Sequence, residues 1–271
     1  MIQTIKNFIS LGAGVQSSTM ALMAAKGQIE PMPSGAIFAD TGAEPSRVYT
    51  WLDWLEKQLP FPVYRVMHKE GLLRNLLATK GRFVAVPFFT DFGKGGMTRR
   101  QCTREFKVEP IEKKLRELVG LKKGQRAPNE ILVTQYIGIS LDEATRMKES
   151  QTHWIRNRWP LIEKRMKRSD CLEWMKDNGY PKPAKSSCTF CPYHDAHSWR
   201  DMKVNDPEGW AQAVQIDRHI RTLDTNIAGT VNAKLYLHRS LTPLESVDFS
   251  TPEERGQLNL FENECEGLCG N

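Results

Sequence analysis

The chain has 271 residues and a mass of 31.0 kDa, enough for one large α/β domain with appendages and a sizeable buried core. Hydrophobic residues make up 40% of it and charged residues 26%, and no apolar run approaches the roughly 20 residues of a membrane span, so a membrane-spanning helix is excluded. A formal charge of +6 and a pI near 9.0 suit an anionic partner: a nucleotide, a polynucleotide or an acidic carrier protein.

The opening MIQTIKNFISL is short and lacks a small-residue cleavage site, so it reads as the first strand rather than a secretion signal, and the cytoplasm is the expected compartment. Short β-rich runs then alternate with helical periodicity, the pattern of a parallel sheet covered by helices. Strands are expected at 8–11, 36–40, 63–67 and 131–139. Helices are expected at 17–25, opened by serines, and at 46–59, where Val48, Trp51, Leu52 and Leu55 share a face behind Pro45. Residues 81–104 read as loop, with Gly93, Gly95 and Gly96 ahead of Arg99, Arg100 and Arg104. A helix over 108–119 follows, with Pro110 tolerated in its first turn. Beyond Ser140 the pattern is less regular, with helices near 169–178, 195–203 and 207–223 and a proline-broken loop leading to Cys188. From Thr251 the chain is acidic and without periodicity, the character of a mobile tail.

In residues 10–19, S-L-G-A-G-V-Q-S-S-T, Gly12 and Gly14 allow positive φ and close backbone approach. Ser17 and Ser18 fall where N–H groups and hydroxyls converge at a helix N-terminus, a place for an oxyanion. The same letters also fit an ordinary strand-to-helix turn. The second strand ends in A-D-T-G-A-E-P, which sets Asp40, Thr41 and Gly42 beside the first strand's carboxyl end, where a doubly wound sheet forms its ligand crevice.

Six cysteines fall as a C-x-x-C (Cys188, Cys191), a C-x-x-x-C (Cys265, Cys269) and the singletons Cys102 and Cys171. In a reducing compartment this spacing points to metal ligation or thiol chemistry over disulfides. Cys102, Cys188, Cys191 and His194 would make a Cys₃His zinc site; unligated thiols are the other alternative. Cys171 lies at helical spacing from Trp174 and Met175, as a small buried hydrophobe would.

The loop and the D-T-G-x-E-P turn resemble those of the adenine-nucleotide α-hydrolase (PP-loop) superfamily, in particular its phosphoadenosine phosphosulfate (PAPS) and adenosine phosphosulfate (APS) reductase branch. ATP-cleaving members carry S-G-G-x-D-S, whereas this chain has G-A-G-V-Q-S, with Gln16 at the aspartate position; Gly14, Val15 and Gln16 resemble the G-I-Q of the reductases. A neutral amide suits a phosphosulfate, which needs neutral donors and cations, while ATP cleavage draws on Mg²⁺ and a nearby acid; Asp40 remains open to a metal. RRQCTREFKVEPI, residues 99–111, resembles the C-C-x-x-R-K-V-E-P segment of the iron–sulfur reductases, and SSCTFCPY, residues 186–193, resembles their later C-x-x-C. GISLDEATRM and the stretch from RWPLIEKRM onward resemble the family's substrate-arginine and Pro-Leu-helix segments, so the likeness spans residues 8–202. The ending FENECEGLCGN resembles the reductases' E-C-G tail.

The resemblance implies a Rossmann-like, doubly wound fold with an irregular helical C-terminal part and a mobile tail. It implies a [4Fe–4S] cluster on Cys102, Cys188 and Cys191, with Gln101 replacing the first cysteine of the family's adjacent pair and one iron left to another ligand. Three-cysteine sites also mark thiolating relatives that use the ATP loop. The nucleotide, an adenosine phosphosulfate or ATP, would be held by Gly12, Gly14, Gln16, Ser17, Ser18, Asp40 and Thr41, with Arg104, Lys107 and Arg146 on the phosphosulfate. Cys265 and Cys269 would be catalytic: one thiolate displaces the nucleotide to leave a thiosulfonate, and the second, or a thioredoxin-type reductant, expels sulfite. The same pair would alternatively join Cys188 and Cys191 in a Cys₄ zinc site. Glu262, Glu264 and Glu266 raise a neighbouring thiol's pKa, so a catalytic tail must close on cations, for which Arg99 and Arg100 are further candidates.

The expected organisation is a nucleotide-binding α/β domain at 1–160, a helical metal-bearing part at 161–250 and a cysteine tail at 251–271. The expected activity is thiol-dependent reduction of an adenosine phosphosulfate to sulfite and an adenosine phosphate. The alternative is an ATP-dependent sulfur transferase acting on a nucleic acid, by tRNA thiolation or DNA phosphorothioation; a third is a metal-stabilised nucleic-acid-binding protein without turnover. For the latter two, the run E-K-R-M-K-R at 163–168 is a candidate contact with a polyanion.

Overall fold

The computed structural model describes residues 5–69, 71–78, 86–91, 96–222 and 234–250. Cys265, Cys269 and the rest of the expected tail lie outside these residues. In chain order the elements are β1 (Lys6–Leu11), α1 (Val15–Ala25), β2 (Gly35–Asp40), α2 (Ser46–Glu56), β3 (Val63–Met67), α3 (Gly71–Leu77), β4 (Phe89–Thr90) and β5 (Gly96–Met97). A π-turn over Arg104–Val108 runs into α4 (Glu109–Leu118). Then come β6 (Val133–Ile137), a 3₁₀ segment (Leu141–Arg146), β7 (Ile155–Arg158), α5 (Pro160–Glu163), α6 (Arg168–Asp177), α7 (Ala196–Asn205), α8 (Pro207–Thr222) and β8 (Leu235–Tyr236). Among the described residues no helix is long and apolar enough to cross a membrane.

The described residues fall into two compact units, one from Met1–Leu72 with Thr103–Ser186 and one from Leu73–Cys102 with Ser187–Asn271. The first is an α/β unit around a five-stranded sheet in the order β3-β2-β1-β6-β7, with every neighbouring pair parallel. Alternate strand residues point to opposite faces, and both faces are covered. Ile9, Leu11, Ala36, Phe38 and Tyr136 pack on one side with α1, α2 and α6; Phe8, Ile37, Ala39, Val133 and Ile155 pack on the other with Ile111 and Leu115 of α4. Helix α1 is buried along almost its whole length, as its mostly small and apolar sequence allows. Residues 161–186 belong to this unit by packing: Leu161, Cys171 and Met175 enter the same core as Ile9.

Strand β1 has β2 on one side and β6 on the other, and the chain reaches them in opposite directions. The carboxyl ends of β1 and β6 are therefore the switch point of a doubly wound sheet, where such folds open a crevice. The four strands expected from the sequence are all present, with β6 shorter than 131–139. The fifth, β7, reads I-R-N-R and carries no apolar alternation, because as an edge strand it has only β6 to satisfy.

The second unit contains the antiparallel sheet β5-β4-β8 with α7 and α8. Two of these strands fall within 81–104, expected as loop; two-residue strands are too short to leave a periodic signal. They are held by Thr98, whose Oγ1 donates to the Val86 carbonyl (2.9 Å) and accepts from the Phe88 amide (2.9 Å). Asp217 of α8, 1% exposed, organises the other side of this unit. Its carboxylate accepts from the amides of Leu237 (3.1 Å) and Leu244 (2.8 Å) and pairs with Arg221 one turn along α8. Removing it strands two buried amides and a guanidinium. Asp217→Ala should cost about 3–5 kcal/mol in denaturant titrations of the whole chain, and Asp217→Asn, which keeps an acceptor oxygen, should cost less.

Candidate nucleotide site and cysteine turn

Only Gly12, Ala13 and Gly14 separate β1 from α1. The positive φ expected of the glycines is taken instead by Ala13 (φ 56°), whose methyl is fully buried, while Gly14 is extended at φ −91°. A Cβ on Gly12 would meet Ser17 Oγ at 3.5 Å and one on Gly14 would meet Ser186 Cβ at 3.9 Å, both ordinary contacts. The glycines thus serve by leaving the loop bare. Ser17 Oγ laces that loop, accepting from the Gly12 amide (3.2 Å) and donating to the Gly14 carbonyl (3.4 Å). Ser18, expected on the nucleotide, faces the core: it is 0% exposed and its Oγ accepts from Trp51 Nε1 at 3.0 Å. Helix α1 has no side-chain cap and no acid in its first turn, so its N-terminal dipole is uncompensated from within the helix.

The β6 side was largely missed from sequence. Gly138 follows β6, and a Cβ there would lie 2.7 Å from Ser17 Cα and 2.8 Å from Ser17 N, so only glycine lets the strand end approach α1. This brings the 3₁₀ segment to Gln16. Gln16 Nε2 donates to Glu143 Oε2 (3.2 Å) and to Ser140 Oγ (3.5 Å), and Arg146 Nη1 donates to Glu143 Oε1 (2.6 Å). Gln16 and Arg146, 130 positions apart by their numbers, meet on one carboxylate. The run G-I-S-L-D-E after an apolar strand is the signal that Gly138, Ser140 and Glu143 carried.

On the other flank of β1, Asp40 Oδ1 accepts from the Gly42 amide (2.7 Å) and the Tyr49 hydroxyl (2.8 Å). Gly42 has φ 67°, which the turn requires. Burial first, and then the Asp40 carboxylate, push the Tyr49 pKa well above its ordinary value, so Tyr49 stays a donor. Thr41 is 1% exposed and its carbonyl accepts from the Leu72 amide (2.7 Å). The Glu44 side chain is wholly buried, with Lys107 Nζ 3.3 Å from Oε1 and Ser186 Oγ 3.3 Å from Oε2. Of the cations expected on the phosphosulfate, Lys107 is engaged with Glu44. Arg104 is exposed and bonds Gln151 (2.9 Å) and Glu109 (3.4 Å), and Arg146 alone joins Gln16.

In the second unit, the C-x-x-C forms a tight turn: the Cys191 amide donates to the Cys188 carbonyl (3.0 Å) and the His194 amide to the Cys191 carbonyl (3.1 Å). His194 Nε2 lies 2.9 Å from the Cys188 carbonyl, so it carries the hydrogen and donates, and the ring packs edge-on against the buried Trp199 at 4.7 Å. Asp195 caps α7 by accepting from the Ser198 amide (2.6 Å), and the Arg100 guanidinium lies over the Tyr193 ring at 5.1 Å. Cys102, Cys188 and Cys191 are half-buried. Among the described residues, no three His, Cys, Asp or Glu side chains gather closely enough to hold a metal ion. The expected set of Cys102, Cys188 and Cys191, with or without His194, is therefore not assembled, and His194 has committed Nε2 to the turn itself. Two thiols in one turn do not by themselves fit a [4Fe–4S] cluster or a closed zinc site.

No protein-family model matches the sequence, and no curated protein matches it. Among solved structures, the chain is similar to phosphoadenylyl-sulfate (PAPS) reductase from Candida auris in a phosphate complex, at 13% identity and a TM-score of 0.46, over 67% of this chain and 77% of the other. It is also similar to the U34-tRNA thiolase NcsA from Methanococcus maripaludis with its [4Fe–4S] cluster, at 15% identity and a TM-score of 0.39, over 82% of this chain and 74% of the other. At these values the likeness is remote, and the loop, strand order and strand-end residues of this chain are what bear on its chemistry.

Two outcomes follow from the site. Lys107→Met leaves the Glu44 carboxylate buried with only a hydroxyl partner and should destabilise the chain by about 1–3 kcal/mol, less than a fully buried pair because Lys107 is partly exposed; Glu44→Gln in the same background should recover most of this in thermal melts. Burial, reinforced by Asp170 and Asp142, pushes the Cys171 thiol up to about 12. Its thiolate is therefore scarce at pH 8, and its labelling by a thiol-specific reagent should rise about tenfold per pH unit below 12 and reach full rate only on unfolding, while Cys102, Cys188 and Cys191 label in the folded chain.

Proposed function

We propose that the chain binds an adenosine phosphosulfate at the β1–α1 loop and reduces it to sulfite and the adenosine phosphate, as an enzyme of the adenine-nucleotide α-hydrolase type. The observation that carries this is the convergence of Gln16 Nε2 and Arg146 Nη1 on a single carboxylate, that of Glu143, at the switch point beside the uncapped α1. One neutral donor and one cation gathered on one oxyanion are what a phosphosulfate asks for. On binding, the ligand's oxygens take the place of the Glu143 carboxylate, and the α1 amides receive the remaining charge. A thiolate then attacks the sulfur, the S–O bond to the phosphate breaks, and the adenosine phosphate leaves with its oxygen. A second thiolate attacks the resulting thiosulfonate at the cysteine sulfur, a disulfide forms and sulfite leaves. Cys265 and Cys269 are the thiols proposed for these steps, and an external dithiol returns them to the reduced state.

A second reading, ATP-dependent sulfur transfer to a nucleic acid, is favoured by one observation: the Asp40 and Glu143 carboxylates flank the loop, so acids stand near where Gln16 replaced one. Incubating the whole chain with PAPS, APS or Mg·ATP in the presence of a dithiol separates the two. Sulfite release from a sulfonucleotide, abolished by Cys265→Ser and Cys269→Ser and lowered roughly 10- to 100-fold in kcat/KM by Gln16→Ala, is the expected result. Pyrophosphate release that requires a nucleic acid, without sulfite, overturns it.

A further inference from the structure

The run E-K-R-M-K-R at 163–168 takes no part in the reaction proposed above, yet the fold sets it close to that chemistry. Met166 is the anchor: its half-buried side chain packs on the core around α1, and its amide donates to the Leu161 carbonyl (2.9 Å). Lys164, Arg165 and Lys167 around it are exposed, with Arg165 at φ 55°. The turn is tied to the 3₁₀ segment, since the Leu141 amide donates to the Met166 carbonyl (2.8 Å) and the Arg168 amide to Asp142 Oδ1 (3.1 Å). Two residues past that segment's far end, the Lys148 carbonyl accepts from Asn157 Nδ2 of β7 (2.9 Å). The segment that presents Glu143 and Arg146 to the nucleotide loop is thus tied at its start to the cationic α5–α6 turn and just past its end to β7.

The acids of this strip are mostly spent internally. Glu163 forks onto Arg158 (2.7 Å), Glu143 holds Gln16 and Arg146, Asp142 takes the Arg168 amide and Asp170 the Lys167 amide (2.8 Å); Glu149 is exposed. Lys148, Lys164 and Arg165 make no ion pair among the described residues. Leu141, at the start of the segment, and Met147, just past its end, are 38% and 37% exposed and add apolar surface between the cations. Cations spread along a strip, rather than converging on a point, match a repeating polyanion.

We propose that this strip, from Leu141 to Lys148 and over the α5–α6 turn, is a docking surface for a polynucleotide, gripped by its phosphodiester backbone beside the nucleotide loop. This goes beyond the reductase reading, which needs no polymer. The test is fluorescence anisotropy of the whole chain with a labelled RNA hairpin, a DNA strand of the same sequence and polyglutamate, across roughly 50–200 mM salt. The variant is Lys148→Gln, Lys164→Gln, Arg165→Asn, asparagine being chosen because it tolerates the left-handed backbone at 165. Salt-dependent binding to RNA, DNA or both is expected, and preference between them identifies the polymer. In the variant the slope of log affinity against log salt should fall in magnitude by about 2–3, one step of 0.7–0.9 per lost phosphate contact, with sulfonucleotide and ATP affinities unchanged. An unaltered slope, absence of nucleic-acid binding in the parent chain, or equal capture of polyglutamate that the variant also loses would each overturn the proposal. Sulfite release is read separately, so either inference can fail without the other.

Discussion

The α/β unit depends on one close approach: the backbone at Gly138 against the first turn of α1. A methyl group there would fall within 2.7 Å of Ser17 Cα, so the end of β6 and the start of α1 share a space that only a hydrogen atom fits. Backbone cannot give way as a flexible side chain can. Everything at the switch point follows from that contact, because it sets the 3₁₀ segment at the mouth of the β1–α1 loop and lets Glu143 reach Gln16.

Around this contact the unit uses carboxylates as hubs. Asp40 gathers the Gly42 amide and the Tyr49 hydroxyl, Glu44 gathers Lys107 and Ser186, and Glu143 gathers Gln16 and Arg146. The three differ in exposure, and so in what they can do. Glu44 has no exposed side-chain surface and is held where it is, since a carboxylate without partners in that environment is costly. Glu143 lies at the loop mouth with 29% of its side chain exposed, so its carboxylate is reachable from solvent. A buried hub fixes a turn; a partly exposed one holds its donors near the surface.

The thiols divide by the same physics. Cys171 is sealed in the core, and the cost of charging it there keeps it a small apolar side chain. Cys188 and Cys191 sit on a turn whose shape comes from its own amides and from His194, while the buried Trp199 steadies the imidazole. Among the described residues no gathered set of metal ligands accompanies that turn.

Local chemistry was legible in the sequence. Short β-rich runs marked β1, β2, β3 and β6, the Gly-Ala-Gly turn marked the break into α1, Asp40 and Gly42 marked a turn at a strand end, and the spacing of Cys171 from Trp174 and Met175 marked it as core. Each is set by residues within one helical turn or one strand. Tertiary structure decided which strand lies beside β1 on its far side, that Ala13 rather than a glycine takes the left-handed position, that Ser18 serves Trp51, and that Lys107 answers Glu44. It also decided the meaning of Gln16. Read alone, its neutral amide meant an absence of acid at the loop; in the fold it holds Glu143, 127 positions away. Periodicity records which face of an element is apolar, but pairing between side chains so far apart depends on strand order and on backbone contacts as close as that of Gly138, which no local pattern encodes.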